Sequence, residues 1–176
     1  MPHNAEVRAP FKVTGTPKPW RLMASFLYES LMIVSIWLAV VVLLTPVTFI
    51  LPNPTIKNYV IQITILLILF VYFVWQWQKT GQTLATRTWH LAILSADYKI
   101  LTPKQALMRG LWGGVLYVAL PLLMYLGAEQ FLPVDKALWL MGLVFCLPMV
   151  WVWVHPKHFT LLDVVAGSVV VAVAKH

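Results

Sequence analysis

Four stretches of this chain carry no Asp, Glu, Lys or Arg: Ser30–Ile56, Asn58–Gln78, Gly110–Ala128 and Ala137–Val154. Each is at or near the roughly 18–20 residues that a helix needs to cross a 30 Å hydrocarbon core. A soluble domain has about 25% charged residues, whereas this chain of 176 residues has 11%, against 60% hydrophobic. The pattern predicts an all-α membrane protein, a four-span transmembrane helical bundle, with spans near 22-51, 58-78, 107-130 and 136-154. A polar tail over 1-20 precedes a single domain over 21-176. The one cysteine, Cys146, lies inside the fourth stretch, which excludes an intramolecular disulfide or a zinc cluster built on thiolates. No cofactor is expected.

The charges that remain are unevenly placed. Arg8, Lys12, Lys18 and Arg21 precede the first span, and Lys79, Arg87, Lys99, Lys104 and Arg109 fall between the second and third. Lys157 and Lys175 follow the fourth, while Lys57 and Lys136 stand alone in the two other connections. Lys and Arg stay on the cytoplasmic side during insertion, so both termini and the middle loop are expected in the cytoplasm of an inner membrane. The net charge of +7 then reflects topology and contact with anionic lipids at the cytoplasmic face, and nucleic acid is not an expected partner. Pro46, Pro52, Asn53 and Pro54, and later Phe131-Leu132-Pro133, punctuate short external turns. Trp20, Tyr28, Tyr59, Trp75, Trp77, Trp112, Tyr125, Trp151 and Trp153 gather near span ends, as amphipathic rings do at the headgroup layer.

Between the second and third spans, over 79-106, Trp89, Leu91 and Ile93 alternate with His90 and Ala92. Ser95-Ala96-Asp97 supplies turn chemistry, and Tyr98–Thr102 resumes a strand-like composition, so a small cytoplasmic β-hairpin is expected. Thr102 or Pro103 should cap the helix that enters the third span. The interfacial tail over 158-176 ends in Val164–Ala174, too short to cross the hydrocarbon. Its composition fits either an extended segment paired with the hairpin edge or a short interfacial helix.

Arg21, Ser25 and Glu29 recur every four residues and line one stripe of the first helix, with Glu29 about 12 Å deeper than Arg21. Together with Asp163 in Leu161-Leu162-Asp163-Val164-Val165-Ala166-Gly167-Ser168, the Arg21–Glu29 segment, the Thr80–Ala85 and Thr88–Leu91 pieces and Gln105–Arg109, the chain resembles the RDD family of small bacterial membrane proteins. That family is named for one arginine and two aspartates. The resemblance places its arginine at Arg21, its first aspartate at Glu29, with the charge kept on a longer side chain, and its second at Asp163. It implies a transport role, including cation/proton antiport.

An ionisable group inside a membrane is expensive and by default a functional candidate. Arg21, Glu29, Arg109 and Asp163 fall on segments that the topology brings to one membrane face, and we expect them to form one charge cluster, either structural or an ion or proton site. His155 and His158 are broken apart by Pro156, so no metal site is expected. Gly110 and Gly114 have the small-xxx-small spacing of a helix-packing surface. No nucleophile with its base, phosphate-binding glycine loop or paired-carboxylate site is evident, which argues against an enzyme. Two classes remain: a small-solute or cation/proton transporter, and a non-catalytic accessory or scaffold subunit that associates with itself or with another membrane protein.

Overall fold

The computed structural model describes residues 12–48, 53–155 and 159–174. Four helices long and apolar enough to cross a membrane run antiparallel: α1 (Pro19–Thr48), α2 (Pro54–Lys79), a broken third rod made of α4 (Pro103–Gly114) and α5 (Leu120–Ala128), and α6 (Val134–Val154). Between α2 and α4 lie a short helix α3 (Leu84–Thr88) and strand β2 (Leu91–Ser95). After α6 come α7 (Leu161–Ala166) and β3 (Ser168–Val173), while β1 (Val13–Gly15) precedes α1. Because the helices alternate in direction, every strand and short helix among the described residues gathers at one end of the bundle.

Local sequence explains where the helices begin. Asn53 caps α2 by accepting from the Thr55 and Ile56 amides, and Pro54 occupies its first turn. Thr102 and Gln105 form a reciprocal capping box ahead of α4, with Pro103 at its start, as the sequence predicts. The break in the third rod also has an identifiable cause. Pro121 has no N–H to give the Tyr117 carbonyl, and its ring would clash there, so residues Val115–Ala119 widen into a π-turn in which Leu120 N–H bonds Val115 O.

The sheet corrects the expected hairpin. β2 forms where the alternation predicts it, but Tyr98–Thr102 contains no strand. Tyr98 closes a tight turn with its N–H on Ser95 O (2.9 Å) and adopts a φ of 59°, after which Leu101 is buried in the helix core and Thr102 is committed to capping. The partner of β2 is instead β3, antiparallel from Leu91 opposite Ala172 to Ser95 opposite Ser168. β3 is central, in the order β1-β3-β2. The C-terminal segment is therefore both of the forms open to it: helix up to Ala166, a left-handed Gly167 at φ 61°, then strand. The outer edge of β2 is covered locally, since Ile93 N–H bonds Gly81 O (2.7 Å) and Gln82 Nε2 bonds Leu91 O (2.7 Å). Leu91 and Ile93 turn toward Leu22, Val74, Trp77, Met149 and Val152, so the sheet is riveted to the bundle.

Most of the aromatic side chains near the span ends lie on the outside of the bundle. Trp20, Tyr59, Trp75, Trp151 and Trp153 are exposed. Trp77 is an exception, buried in the core at the sheet end. Gly110 packs as predicted: a Cβ there would meet the Phe70 ring at 2.8 Å, so α4 and α2 approach closely only because it is glycine. Gly114, one turn further along, does not share that role, because its missing Cβ would point into open space.

Candidate functional site: a buried polar cluster at the sheet end

Arg109 is the centre of the polar interior. It projects from the second turn of α4 and is only 4% exposed. Its Nη2 lies 2.7 Å from Asp163 Oδ1, an ion pair between two nearly inaccessible side chains. That contact is electrostatic rather than aligned as a hydrogen bond, leaving Oδ1 without a hydrogen-bonded donor, and the Arg109 Nε–H is likewise buried and unbonded. Nη1 donates to the Ser168 hydroxyl at the first residue of β3. The guanidinium also stands over the Trp77 ring, 5.2 Å from its centroid, a face that attracts cations.

Asp163 is positioned by its own helix. Thr160 caps α7, and Asp163 Oδ2 accepts from the Thr160 amide (2.9 Å) and hydroxyl (2.6 Å) while the Asp163 N–H returns to Thr160 Oγ1 (3.1 Å). One carboxylate thus closes a capping box with one oxygen and holds Arg109 with the other.

Glu29 reaches the same region from α1. Its Oε1 is buried without a hydrogen-bond partner, and the carboxyl meets the Thr83 side chain and lies in the field of Arg109. The Thr83 hydroxyl accepts from the Thr86 N–H (3.2 Å) and lies 3.1 Å from the Thr86 hydroxyl, so the Glu29 carboxyl meets a side chain that is itself held by the α3 cap. Thr83 caps α3, which lies against α1 and is tied to α2 by Leu84 N–H on the Tyr72 oxygen (3.4 Å). Tyr117, in the π-turn, lies within electrostatic range of Glu29, Arg109 and Asp163. Its ring packs with Phe26 (5.9 Å) and Phe145 (5.6 Å), joining α1, the π-turn and α6 beside the cluster.

The expected four-residue cluster is therefore three residues and a separate one. Arg21 does not join it. Its Nη2 donates to the carbonyls of Trp89 and His90, the second at 3.2 Å, and so ties the start of α1 to the residues leading into β2. The reason is the 12 Å of helix between Arg21 and Glu29: one reaches the sheet and the other reaches the bundle interior. Ser25, between them, is buried. His155 stacks on Phe159 (5.5 Å, 17°), and His158 lies outside the described residues.

Thr83, Ser168, Trp77 and Tyr117 were not legible as site residues. Thr160 carried a signal, the capping spacing to Asp163. Pro121 carried another, which pointed to a helix irregularity near Tyr117 without saying what the irregularity would face.

No curated protein and no solved structure matches the chain. A model of the RDD family matches residues 16–167, a span that contains Arg21, Glu29, Arg109 and Asp163 together with the four apolar helices, and the chain belongs to that family of membrane proteins.

Proposed function

We propose that the protein moves protons or small cations, with Glu29 as the exchangeable group and Arg109–Asp163 as its fixed counter-charge. One observation carries this reading: a single buried guanidinium serves two carboxyl groups. Asp163 holds Arg109 in an ion pair (2.7 Å), and Glu29, with Oε1 buried and unbonded, is left to balance its charge by other means. A proton or a small cation supplies that balance, and an unbalanced charge in such a place is costly. The position of Glu29 suits exchange. The first span runs 28 residues, Pro19–Pro46, or about 42 Å of helix, some 12 Å more than the hydrocarbon core requires. With the far end of α1 at the opposite boundary, Glu29 sits close to the sheet-end boundary.

The test is flux in proteoliposomes. Cation-driven pH change inside the vesicles is expected for the unaltered protein and to vanish in Glu29→Gln without loss of melting temperature, while Glu29→Asp, the residue of the family pattern, retains it. Equal flux in Glu29→Gln and the unaltered protein would sink the proposal.

A second reading, an accessory subunit of a membrane complex, has its own support. A polar path through the bundle is thin, because the Ser30, Ser35 and Thr45 hydroxyls are bonded back to carbonyls of their own helix (2.9, 2.9 and 2.7 Å) and Gln62 is exposed. Purification in mild detergent separates the two readings: a stoichiometric membrane-protein partner supports the second, and flux by the protein alone supports the first.

We also infer that the sheet end faces the cytoplasm of an inner membrane. Among the described residues eight Lys and Arg, Lys12, Lys18, Arg21, Lys79, Arg87, Lys99, Lys104 and Arg109, belong to that end and two, Lys57 and Lys136, to the other. Cysteines introduced at exposed Lys99 and Lys136 into a Cys146→Ser background should label oppositely with a membrane-impermeant maleimide in intact cells, Lys136→Cys reacting and Lys99→Cys protected.

A further inference from the structure

By charge alone a proton and a small cation would balance Glu29 equally well, and the groups around the carboxyl tell the two apart. A proton forms one covalent bond and needs no shell. A cation that gives up its hydration must find several oxygen acceptors in its place.

The oxygens near Glu29 are already engaged. Thr83 Oγ1 accepts from the Thr86 N–H (3.2 Å), and Thr86 Oγ1 accepts from the Thr83 N–H (2.7 Å). In the turn that carries Thr83, Gly81 O accepts the Ile93 N–H (2.7 Å), Gln82 O the Thr80 hydroxyl (2.8 Å) and Thr83 O the Arg87 N–H (2.9 Å). The Ser30 hydroxyl is turned back to Phe26 O (2.9 Å), and the Tyr72 oxygen accepts the Leu84 N–H (3.4 Å). Among the described residues no three His, Cys, Asp or Glu side chains gather as metal ligands.

The cluster has donors to spare instead. The Arg109 Nε–H and the Trp77 Nε1–H are both buried without a hydrogen-bond partner, and the Trp77 ring lies against the guanidinium. Asp163 Oδ1 stands 2.7 Å from Arg109 Nη2, where a second cation would meet the guanidinium. The titratable groups in range of Glu29 are Arg109 from α4, Tyr72 from α2 and Tyr117 from the π-turn, with Asp163 of α7 on Arg109. α3 contributes Thr83, and α6 contributes the Phe145 ring, 5.8 Å from that of Phe26. A buried guanidinium repels a metal ion and attracts a bare carboxylate. The surroundings therefore suit Glu29 in two forms, neutral with its proton or negative near Arg109.

We propose that Glu29 exchanges a proton alone and takes no alkali-metal cation, an inference that rests on Glu29 being the exchangeable group.

Carbodiimide labelling tests this, because it reads the proton on the carboxyl without reading flux. The O–H of a protonated carboxyl adds across one C=N bond of dicyclohexylcarbodiimide, whereas a carboxylate that is ionised or holds a metal ion does not react. Full-length protein in mild detergent is labelled over a range of pH in choline, lithium, sodium or potassium chloride at one ionic strength. Adducts are located by peptide mass spectrometry in the unaltered protein, so the result does not depend on a variant that folds. Labelling at Glu29 is expected to fall about tenfold per pH unit once the proton leaves, along the same curve in all four salts. Weaker labelling in any alkali salt than in choline at the same pH would overturn the proposal, as would labelling that ignores pH or never occurs. Protection by sodium in a protein that gives flux would leave transport through Glu29 standing and remove only its restriction to protons. One pH curve in every salt, without flux, would keep the proton site and sink the transport reading.

Discussion

Asp163 does two jobs with its two oxygens, and substitutions can separate them. Asp163→Asn keeps an acceptor for the Thr160 amide but leaves the Arg109 charge buried and unpaired. Removing one partner of a buried pair costs about 3–5 kcal/mol, so the melting temperature in detergent should fall steeply. Thr160→Ala removes only the cap, a loss of about 1 kcal/mol, and should fall less. Arg109→Met combined with Asp163→Leu should recover part of what Asp163→Asn loses, since replacing both members of a buried pair with apolar groups is far less damaging than stranding one. If Asp163→Asn melts like the unaltered protein, the ion pair is not what holds α7 against α4. Arg109, Asp163 and Glu29 were identifiable in the sequence because an ionisable residue beside a membrane span is conspicuous by itself. Thr83, Ser168 and Trp77 were not, because a threonine, a serine and a tryptophan have ordinary explanations until a guanidinium or carboxylate is seen against them.

At the scale of elements, the third rod is where local sequence and packing meet. Gly110 allows contact between α4 and α2, and Gly114 faces open space. Gly110→Ala should therefore destabilise the protein by about 1–3 kcal/mol, the usual cost of overpacking. Gly114→Ala should be neutral or slightly stabilising, because alanine is the better helix former by about 1 kcal/mol. Thermal melts of the two variants side by side check this, and equal losses would contradict the geometry. Pro121 adds a second device. By removing one N–H it turns the rod through a π-turn, and Tyr117 comes to lie beside the polar cluster. The helix starts at Asn53, Thr102 and Thr160 follow from caps that can be read one residue at a time. α3 escaped notice because five residues carry no periodicity, and its capping pair is two threonines rather than the usual Thr with Glu or Gln.

For the whole molecule, the sheet decides how the ends of the chain are held. β3 is flanked on both sides, so cutting the chain after Gly167 should leave β1 and β2 without their shared partner and Arg109 without Ser168. The amides of Leu91–Ser95 that bond β3 should lose their protection from hydrogen exchange, while those of α2 and α6 keep theirs; continued protection in β2 would show that the strand stands without β3. The sequence by itself determined the number of spans, their alternation, their punctuation by proline and asparagine, and the end at which the charges collect. Each of these depends only on composition within a window and on the fact that a continuous apolar stretch of about 20 residues in lipid satisfies its own backbone hydrogen bonds as a helix. Which strand lies beside which was decided by tertiary structure. A local hairpin over 91–102 and a pairing of 91–95 with 168–173 satisfy the same alternation, and the second prevails because Leu101 is drawn into the helix core and Thr102 into a cap, whereas the valine run of β3 buries against both neighbours. The division of the four charged residues into a buried trio and a separate Arg21 was settled in the same way, by which carbonyls and carboxylates the folded chain brings within reach of each guanidinium.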